Sequence, residues 1–167
     1  MNLIKFCKKI KYKIGICLNK TIWKFEYGPH LVLGKNITFR ENLVINISDE
    51  GQVSIGDNTF FNNSCSINSQ GFVNIGNNCL FGENVKIYDH NHIFNTSNKI
   101  IDEGFSVGDV RIGNNCWLGS NVVILKGTNI GDNCVIAAGS VVSGKVPDNH
   151  IYRSKKTQEI EAIIRKR

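Results

Sequence analysis

Residues 112–142 read IGNNCWLGSNVVILKGTNIGDNCVIAAGSVV, and a large apolar residue stands at every sixth position of this stretch. These anchor positions are Ile112, Leu118, Ile124, Ile130, Ile136 and Val142. Shorter runs with the same spacing precede them, at Leu33, Phe39 and Ile45, at Ile55, Phe61 and Ile67, and at Ile75, Phe81 and Ile87. A period of six fits neither an amphipathic helix nor one long alternating strand. It predicts short strands separated by regular corners.

The residues between the anchors are suited to those corners. Gly often follows an anchor, and Asn recurs three positions after it, at 36, 42, 58, 78, 84, 115, 121 and 133. Gly permits close backbone approach, and Asn tolerates left-handed backbone angles. Small or medium side chains stand four positions after an anchor and include Cys65, Cys79, Cys116 and Cys134. Three faces would form a coil of about 18 residues, and stacked coils would form a solenoid. An all-β sandwich is the alternative, but its turns would recur at roughly 8–12 residues.

Charge is distributed unevenly along the 167 residues, a length that suits one domain with short additions. Residues 1–25 carry +7, residues 26–152 carry −5 and residues 153–167 carry +4, for a net charge of +6. This pattern argues against a nucleic-acid-binding body and indicates anionic partners near the termini, such as lipid headgroups or phosphates. The six cysteines form no CxxC pair, and we expect a reduced cytoplasmic protein without a membrane span.

The chain divides into three segments. Residues 1–27 form a basic amphipathic segment, residues 28–152 the repeat domain with a loop at 88–111, and residues 153–167 a tail. The basic segment predicts a helix that either lies on the anionic inner face of a membrane or caps the open end of the solenoid. The tail carries Ile160, Ile163 and Ile164 at helical spacing, which predicts a short helix against the last coil.

The phrase IGNNCWLGSNVVILKGTNIGDNCVIAAGSVVSGKVPDN, residues 112–149, resembles the bacterial hexapeptide-repeat acyltransferases, especially sugar O-acetyltransferases of the galactoside, maltose and polysaccharide-modifying kinds. The resemblance covers roughly residues 31–152. It implies an all-β fold, the left-handed parallel β-helix, a homotrimeric assembly and acetyl-CoA as donor. No metal is expected, because the histidines do not match a zinc ligand set. The left-handed sense comes from the resemblance alone, because parallel crossovers are otherwise right-handed.

The repeat is interrupted between Ile87 and Ile112, where YDHNHIFN (88–95) opens an insertion of about 19 residues. Loops of more than about 12–15 residues are usually functional or disordered. In the resembling enzymes a loop here reaches over a neighbouring subunit and bears the catalytic histidine, which corresponds to His92. A histidine suits acyl transfer because it can take a proton from an alcohol and return it to a thiolate. Asp89 either orients an imidazole or forms a turn, and His90 either binds the acceptor or faces water.

Other positions follow from the resemblance. Asn62 and Gln70 correspond to acceptor-binding positions, and Trp117 either walls the acceptor and cofactor pocket or packs on a neighbour. Ser120 corresponds to a position at the thioester end of CoA. The remaining cofactor positions are small residues of the pantetheine groove and basic residues for the phosphates: Ala138, Ser143, Gly144, Lys145 and Arg153. After PDN the chain reads HIYRSKKTQEI and lacks the glycine and proline usual in the family.

The resemblance therefore implies an acetyl-CoA-dependent O-acetyltransferase acting on a sugar hydroxyl of a surface polysaccharide or its precursor. An amino-sugar N-acetyltransferase is the nearest alternative. A zinc β-helix similar to gamma-class carbonic anhydrases is a different class and would need three histidine ligands. The HxH pair offers two, and neither His30 nor His150 lies in a phrase resembling the third. A non-enzymatic solenoid scaffold would show no affinity for CoA.

Overall fold

The computed structural model of the chain describes residues 3–96 and 99–155. A long helix, α1 (Leu3–Tyr27), precedes a series of short strands, with 3₁₀ turns at Gly28–His30 and Ile100–Asp102. The strands in chain order are β1 (Leu31–Leu33), β2 (Thr38–Phe39), β3 (Val44–Ile47), β4 (Gln52–Ile55), β5 (Phe60–Phe61), β6 (Ser66–Ser69), β7 (Phe72–Ile75), β8 (Leu80–Phe81), β9 (Lys86–Tyr88), β10 (His90–His92), β11 (Phe105–Val107), β12 (Val110–Ile112), β13 (Trp117–Leu118), β14 (Val123–Ile124), β15 (Asn129–Ile130), β16 (Val135–Ile136), β17 (Val141–Val142), β18 (Lys145–Val146) and β19 (Ile151–Tyr152).

Three parallel sheets form the faces of a prism, which we call faces A, B and C. Face A has the order β1-β4-β7-β12-β15-β18, face B the order β2-β5-β8-β13-β16-β19, and face C the order β3-β6-β9-β14-β17. One passage through the three faces is one coil, and the described chain makes about six coils. The hexapeptide-repeat β-helix predicted from the sequence is confirmed.

The coils differ in length. Along face A, Leu31 lies opposite Val53, and Val53 lies opposite Val73, which are steps of 22 and 20 residues. The later step from Arg111 to Asn129 is 18 residues, as the repeat predicts. The early coils are longer because they carry additional residues at the corner between faces C and A, such as those that follow Ile47 in SDEG.

The core consists of the anchors and the small side chains between them. The six anchors from Ile112 to Val142 are each at most 1% exposed, and Phe61 stacks on Phe81 with ring centroids 4.4 Å apart. Cys65, Cys79, Cys116 and Cys134 are buried free thiols, as the repeat predicts. All eight Asn positions named from the repeat have a positive φ between 54° and 60°. The corner chemistry predicted from Asn is therefore confirmed.

Helix α1 covers the first coil. Ile16, Trp23 and Tyr27 pack against the core, and the Trp23 ring lies 5.1 Å from that of Phe39. The Tyr27 hydroxyl donates a hydrogen bond to the carbonyl of Ile45 at 2.8 Å. An open β-helix end exposes unpaired strand edges and apolar interior, and α1 shields both.

Neither the membrane interpretation of residues 1–25 nor the C-terminal helix is tested by these contacts. Within the described part of the chain, no helix combines the length and apolarity needed to cross a bilayer. The predicted helix around Ile160, Ile163 and Ile164 lies outside the described residues.

Candidate active site

The interruption of the repeat forms a β-hairpin arm at the corner between faces C and A. Strands β10 and β11 pair antiparallel, with His90 opposite Val107 and His92 opposite Phe105. The solenoid resumes at Val110, which pairs in register with Val73 of the preceding coil. The predicted loop 88–111 thus contains an ordered two-stranded arm with a histidine at each end of one strand.

Asp89 anchors the base of this arm and is fully buried. Its carboxylate accepts hydrogen bonds from the Ser69 hydroxyl (2.7 Å) and from the backbone N–H groups of Gln70 (2.8 Å) and Gly71 (2.9 Å). The chain leaves the solenoid at this corner, and the carboxylate meets the polar groups of the preceding coil there. Buried N–H groups without an acceptor are costly, which explains an acid at this position.

His90 is held by that same carboxylate. Its Nδ1 lies 2.9 Å from Oδ1 of Asp89, and its side chain is 16% exposed. The Phe105 ring packs edge-on against it at a centroid distance of 4.9 Å. A carboxylate oxygen only accepts hydrogen bonds, so Nδ1 is the donor in this contact. Asp89 therefore fixes the orientation of the His90 ring.

His92 lies further along the arm and is exposed. Its ring packs against Phe105, which also contacts His90, at a centroid distance of 4.6 Å. Within residues 3–96 and 99–155, four groups donate hydrogen bonds to the Asp89 carboxylate, namely those of Ser69, Gln70, Gly71 and His90. His92 is not among them. Asp89 thus orients His90, the histidine that the sequence left without a definite role.

A groove of about 360 Å³ lies beside His90. Its walls include Gln70 together with Asn46 and Asn68 of face C, whose side chains hydrogen-bond to each other at 2.8 Å (Asn46 Nδ2 to Asn68 Oδ1). Tyr27 and Glu26 at the end of α1 close another side. Burial raises the pKa of the Tyr27 phenol, with a smaller contribution from the charge of Glu26, so this side remains a neutral hydroxyl beside a carboxylate.

Two of these groove residues were predicted from the sequence, and the others were not. Gln70 and His90 were named, whereas Asn46, Asn68 and Tyr27 were not. Asn46 pairs with Asn68 across a step of 22 residues, so a search at a fixed period of 18 does not align them. A repeat search that allowed the extra residues at this corner would have placed both amides on one column.

The other predicted residues lie on face B or at the corner between faces B and C. Trp117 is 55% exposed on β13, and the Ser120 hydroxyl accepts a hydrogen bond from the Glu83 N–H at 3.3 Å. The Asn62 side chain accepts from the next N–H, that of Asn63, at 2.9 Å, which is a local turn contact. The predicted positions in this group are thus Asn62, Trp117, Ser120, Ala138 and Arg153.

The last group lies near the corner between faces C and A. Ser143 and Gly144 precede Lys145 of β18, and all three are exposed. Within this chain, face C therefore separates the histidine arm from Trp117 and Ser120. A larger cavity of about 550 Å³ lies between α1 and residues 39–42, and its described lining contains no histidine.

The histidines outside the arm have separate partners. Nδ1 of His30 lies 2.8 Å from the Gly51 carbonyl, and Nδ1 of His150 lies 2.7 Å from the Asp148 carbonyl. Among the described residues, no group of three or more His, Cys, Asp or Glu is arranged to hold a metal ion.

Residues 109–144 match the bacterial transferase hexapeptide family (six repeats). The chain is similar to the maltose O-acetyltransferase of Clostridium difficile 630, with 32% identity, a TM-score of 0.64, and coverage of 73% of this chain and 64% of that one. It is also similar to a galactoside acetyltransferase solved with coenzyme A, with 31% identity, a TM-score of 0.58, and coverage of 72% and 60%. A hexapeptide-repeat acetyltransferase of Vibrio cholerae matches with 25% identity, a TM-score of 0.66, and coverage of 79% and 73%.

These similarities confirm the resemblance predicted from the sequence. The chain spans less than two thirds of the length of the maltose and galactoside enzymes.

Proposed function

We propose that this protein transfers an acetyl group from acetyl-CoA to a hydroxyl of a sugar. The observation that carries the proposal is the histidine arm on a hexapeptide-repeat β-helix, beside a groove lined by amides. The similarity to O-acetyltransferases, one of them solved with coenzyme A, supports both the reaction and the donor.

His92 is the proposed general base. It accepts the proton of the acceptor hydroxyl as that oxygen attacks the thioester carbonyl, and it returns the proton to the departing thiolate. The ring is exposed on the arm and packs on Phe105, so it is available to a substrate and restrained in orientation. Such assistance is worth roughly 10²- to 10⁴-fold in rate, or about 3–5 kcal/mol.

Asp89, His90 and Gln70 form the proposed acceptor side of the site. Asp89 fixes His90 so that Nε2 can bind a sugar hydroxyl, and the amides of the groove offer both donors and acceptors to others. Asn62 and Trp117 are further acceptor contacts proposed from the resemblance, on a different edge of the prism.

Ser120, which corresponds to a position at the thioester end of CoA in the resembling enzymes, is proposed to stabilise the oxyanion of the tetrahedral intermediate through its hydroxyl and backbone N–H. Ala138, Ser143 and Gly144 would leave room for the pantetheine arm, while Lys145 and Arg153 would bind the phosphates. Their exposure agrees with a ligand that lies along the outside of the prism.

A homotrimer is the proposed assembly. The arm with His92 and the group with Trp117 and Ser120 lie on opposite sides of face C, so one protomer does not bring them together. In a trimer, a neighbouring copy would place its Trp117 and Ser120 beside the His92 arm and so complete the site between protomers.

The acceptor is proposed to be a neutral glycan, namely a capsule, O-antigen or exopolysaccharide or its cytoplasmic precursor. The described lining of the groove contains the carboxylate of Glu26 and no Lys or Arg. An adjoining cavity of about 430 Å³ adds Asp49. Phosphate groups would meet negative charge in this groove, which disfavours a nucleotide sugar.

The test is incubation of the purified protein with acetyl-CoA and a panel of glycans, followed by mass spectrometry of the products. We expect an ester-linked acetyl group on a neutral sugar. The His92→Ala variant should assemble like the wild type and lose about 10²- to 10⁴-fold in turnover. His90→Ala is the matched control and should mainly raise KM for the acceptor.

Turnover of His92→Ala close to wild type would reject His92 as the base. An amide-linked product on an amino sugar would instead identify an N-acetyltransferase. No binding of acetyl-CoA in calorimetry would reject the transferase altogether and leave a scaffold protein.

A further inference from the structure

Helix α1 has two different faces. One packs on the first coil through Ile16, Trp23 and Tyr27, and the Lys20 ammonium between them donates a hydrogen bond to the Ile37 carbonyl at 2.6 Å. These positions follow one another at intervals of three or four residues and therefore lie on one side of the helix. The capping function uses this side.

The opposite side carries large apolar residues that contact no other part of the described core. The first four of these residues are spaced four positions apart and the fifth follows after three positions, so they form one stripe along the helix. Their exposed fractions range from 42% to 94%, and they are Ile10, Ile14, Leu18, Ile22 and Phe25. We call this the outward stripe. A contiguous exposed apolar surface of this kind usually marks an interaction site.

The helix is also strongly cationic. Residues 1–25 contain seven lysines and no acidic residue, whereas residues 26–152 carry a net charge of −5. Lys11, Lys13 and Lys24 have exposed side chains on α1. The outward stripe therefore lies on the basic part of a protein whose body is acidic.

We propose that the outward stripe binds the surface of an anionic lipid bilayer, with α1 lying in the plane of the interface and the β-helix held on its other side. An amphipathic helix with exposed Leu, Ile and Phe and lysines around them binds anionic bilayers through apolar burial and headgroup attraction together. Under this proposal the two interpretations of this segment from the sequence are compatible, because each uses a different side of one helix.

A bilayer fits this surface better than a second copy of the chain. Two copies meeting through their outward stripes would bring two +7 segments together. Like charges repel across such a contact, whereas anionic headgroups attract the lysines as the apolar residues are buried. This proposal does not depend on the transferase activity.

The experiment is co-sedimentation of the full-length protein with vesicles of phosphatidylcholine and phosphatidylglycerol (3:1) and with vesicles of phosphatidylcholine alone. We expect binding to the anionic vesicles at least about tenfold tighter than to the neutral ones, and weaker binding at 0.5 M NaCl. Leu18→Glu should weaken binding by about tenfold or more, since it replaces an apolar side chain of the stripe with a negative charge.

Val32→Glu is the matched control, because Val32 on β1 is 58% exposed, close to the 57% of Leu18, and lies off the helix. It should bind anionic vesicles as the wild type does. Thermal melting of both variants checks folding, and Ile14→Glu replaces Leu18→Glu if the latter is unstable. Equal binding to both vesicle types, no binding, or no loss in the stripe variants would overturn the proposal. A lower oligomeric state of Leu18→Glu by light scattering would overturn it in favour of a second copy.

Discussion

Replacing Asp89 with Asn tests whether this carboxylate holds the arm. The change keeps the shape of the side chain but turns one of its two oxygens into an NH₂ group that cannot accept. Oδ1 accepts hydrogen bonds from the N–H of Gln70 and from Nδ1 of His90. Oδ2 accepts hydrogen bonds from the Ser69 hydroxyl and from the N–H of Gly71. In either orientation of the amide, one backbone N–H loses its acceptor.

The expected cost follows from these contacts. A buried N–H left without a partner costs about 1–3 kcal/mol, and the remaining hydrogen bonds weaken when the acceptor loses its charge. The sum is roughly 2–4 kcal/mol in the free energy of unfolding. For a chain of this size, that corresponds to a melting temperature lower by about 5–15 °C.

The assay is thermal unfolding followed by circular dichroism at a fixed protein concentration, since the proposed trimer would melt in a concentration-dependent way. Asp109→Asn is the control. Asp109 pairs with Arg111 at 2.9 Å on the surface, with the two side chains 53% and 50% exposed, and an exposed pair contributes about 0–1 kcal/mol. If Asp89→Asn melts within about 2 °C of Asp109→Asn, the reasoning about the buried carboxylate is wrong.

Two further predictions concern the solenoid. Cys7 and Cys17 on α1 should react with a thiol reagent in the native protein, whereas all six cysteines should react only after unfolding. The reason is that the other four thiols are buried, and burial raises the pKa of Cys65 and Cys134. Mass spectrometry counts the labelled cysteines, and rapid labelling of the four buried thiols in the native protein would contradict the packing. Gly82→Ala should lower the free energy of unfolding by about 1–3 kcal/mol, because the added methyl would lie 2.6 Å from the Ser120 nitrogen. Gly15→Ala is the control, because its methyl would meet nothing within 4 Å, and it should be neutral or stabilise the protein by up to about 1 kcal/mol. Equal melting temperatures for these two glycine variants would show that the coils are not packed this closely.

The site divides into a part that residue patterns reveal and a part that they do not. The interruption of the repeat marked the arm, because a step of 37 residues between Val73 and Val110 contrasts with the step of 18 that follows. The sequence did not show which histidine Asp89 contacts. In a regular strand, adjacent side chains point to opposite faces, but Asp89 lies where the chain leaves face C and the strand is no longer regular. Strand alternation therefore does not predict the contact between Asp89 and His90.

The same limit applies to the groove. Asn46 and Asn68 come together because coils of unequal length stack in register, and Tyr27 reaches them because α1 folds over the first coil. These contacts join residues far apart in the chain, and their geometry depends on how many residues each corner contains.

The sequence by itself determined the β-helix, its apolar anchors, its Asn corners and its cysteine-filled interior, because each hexad repeats the same local requirement for one buried side chain and one tight turn. The tertiary structure decided how Asp89 and His90 pair and which residues form the groove. It also decided that α1 shows one side to the solenoid and the other to the surroundings. Those features depend on where the chain returns after a corner or an arm, and no local preference specifies that position.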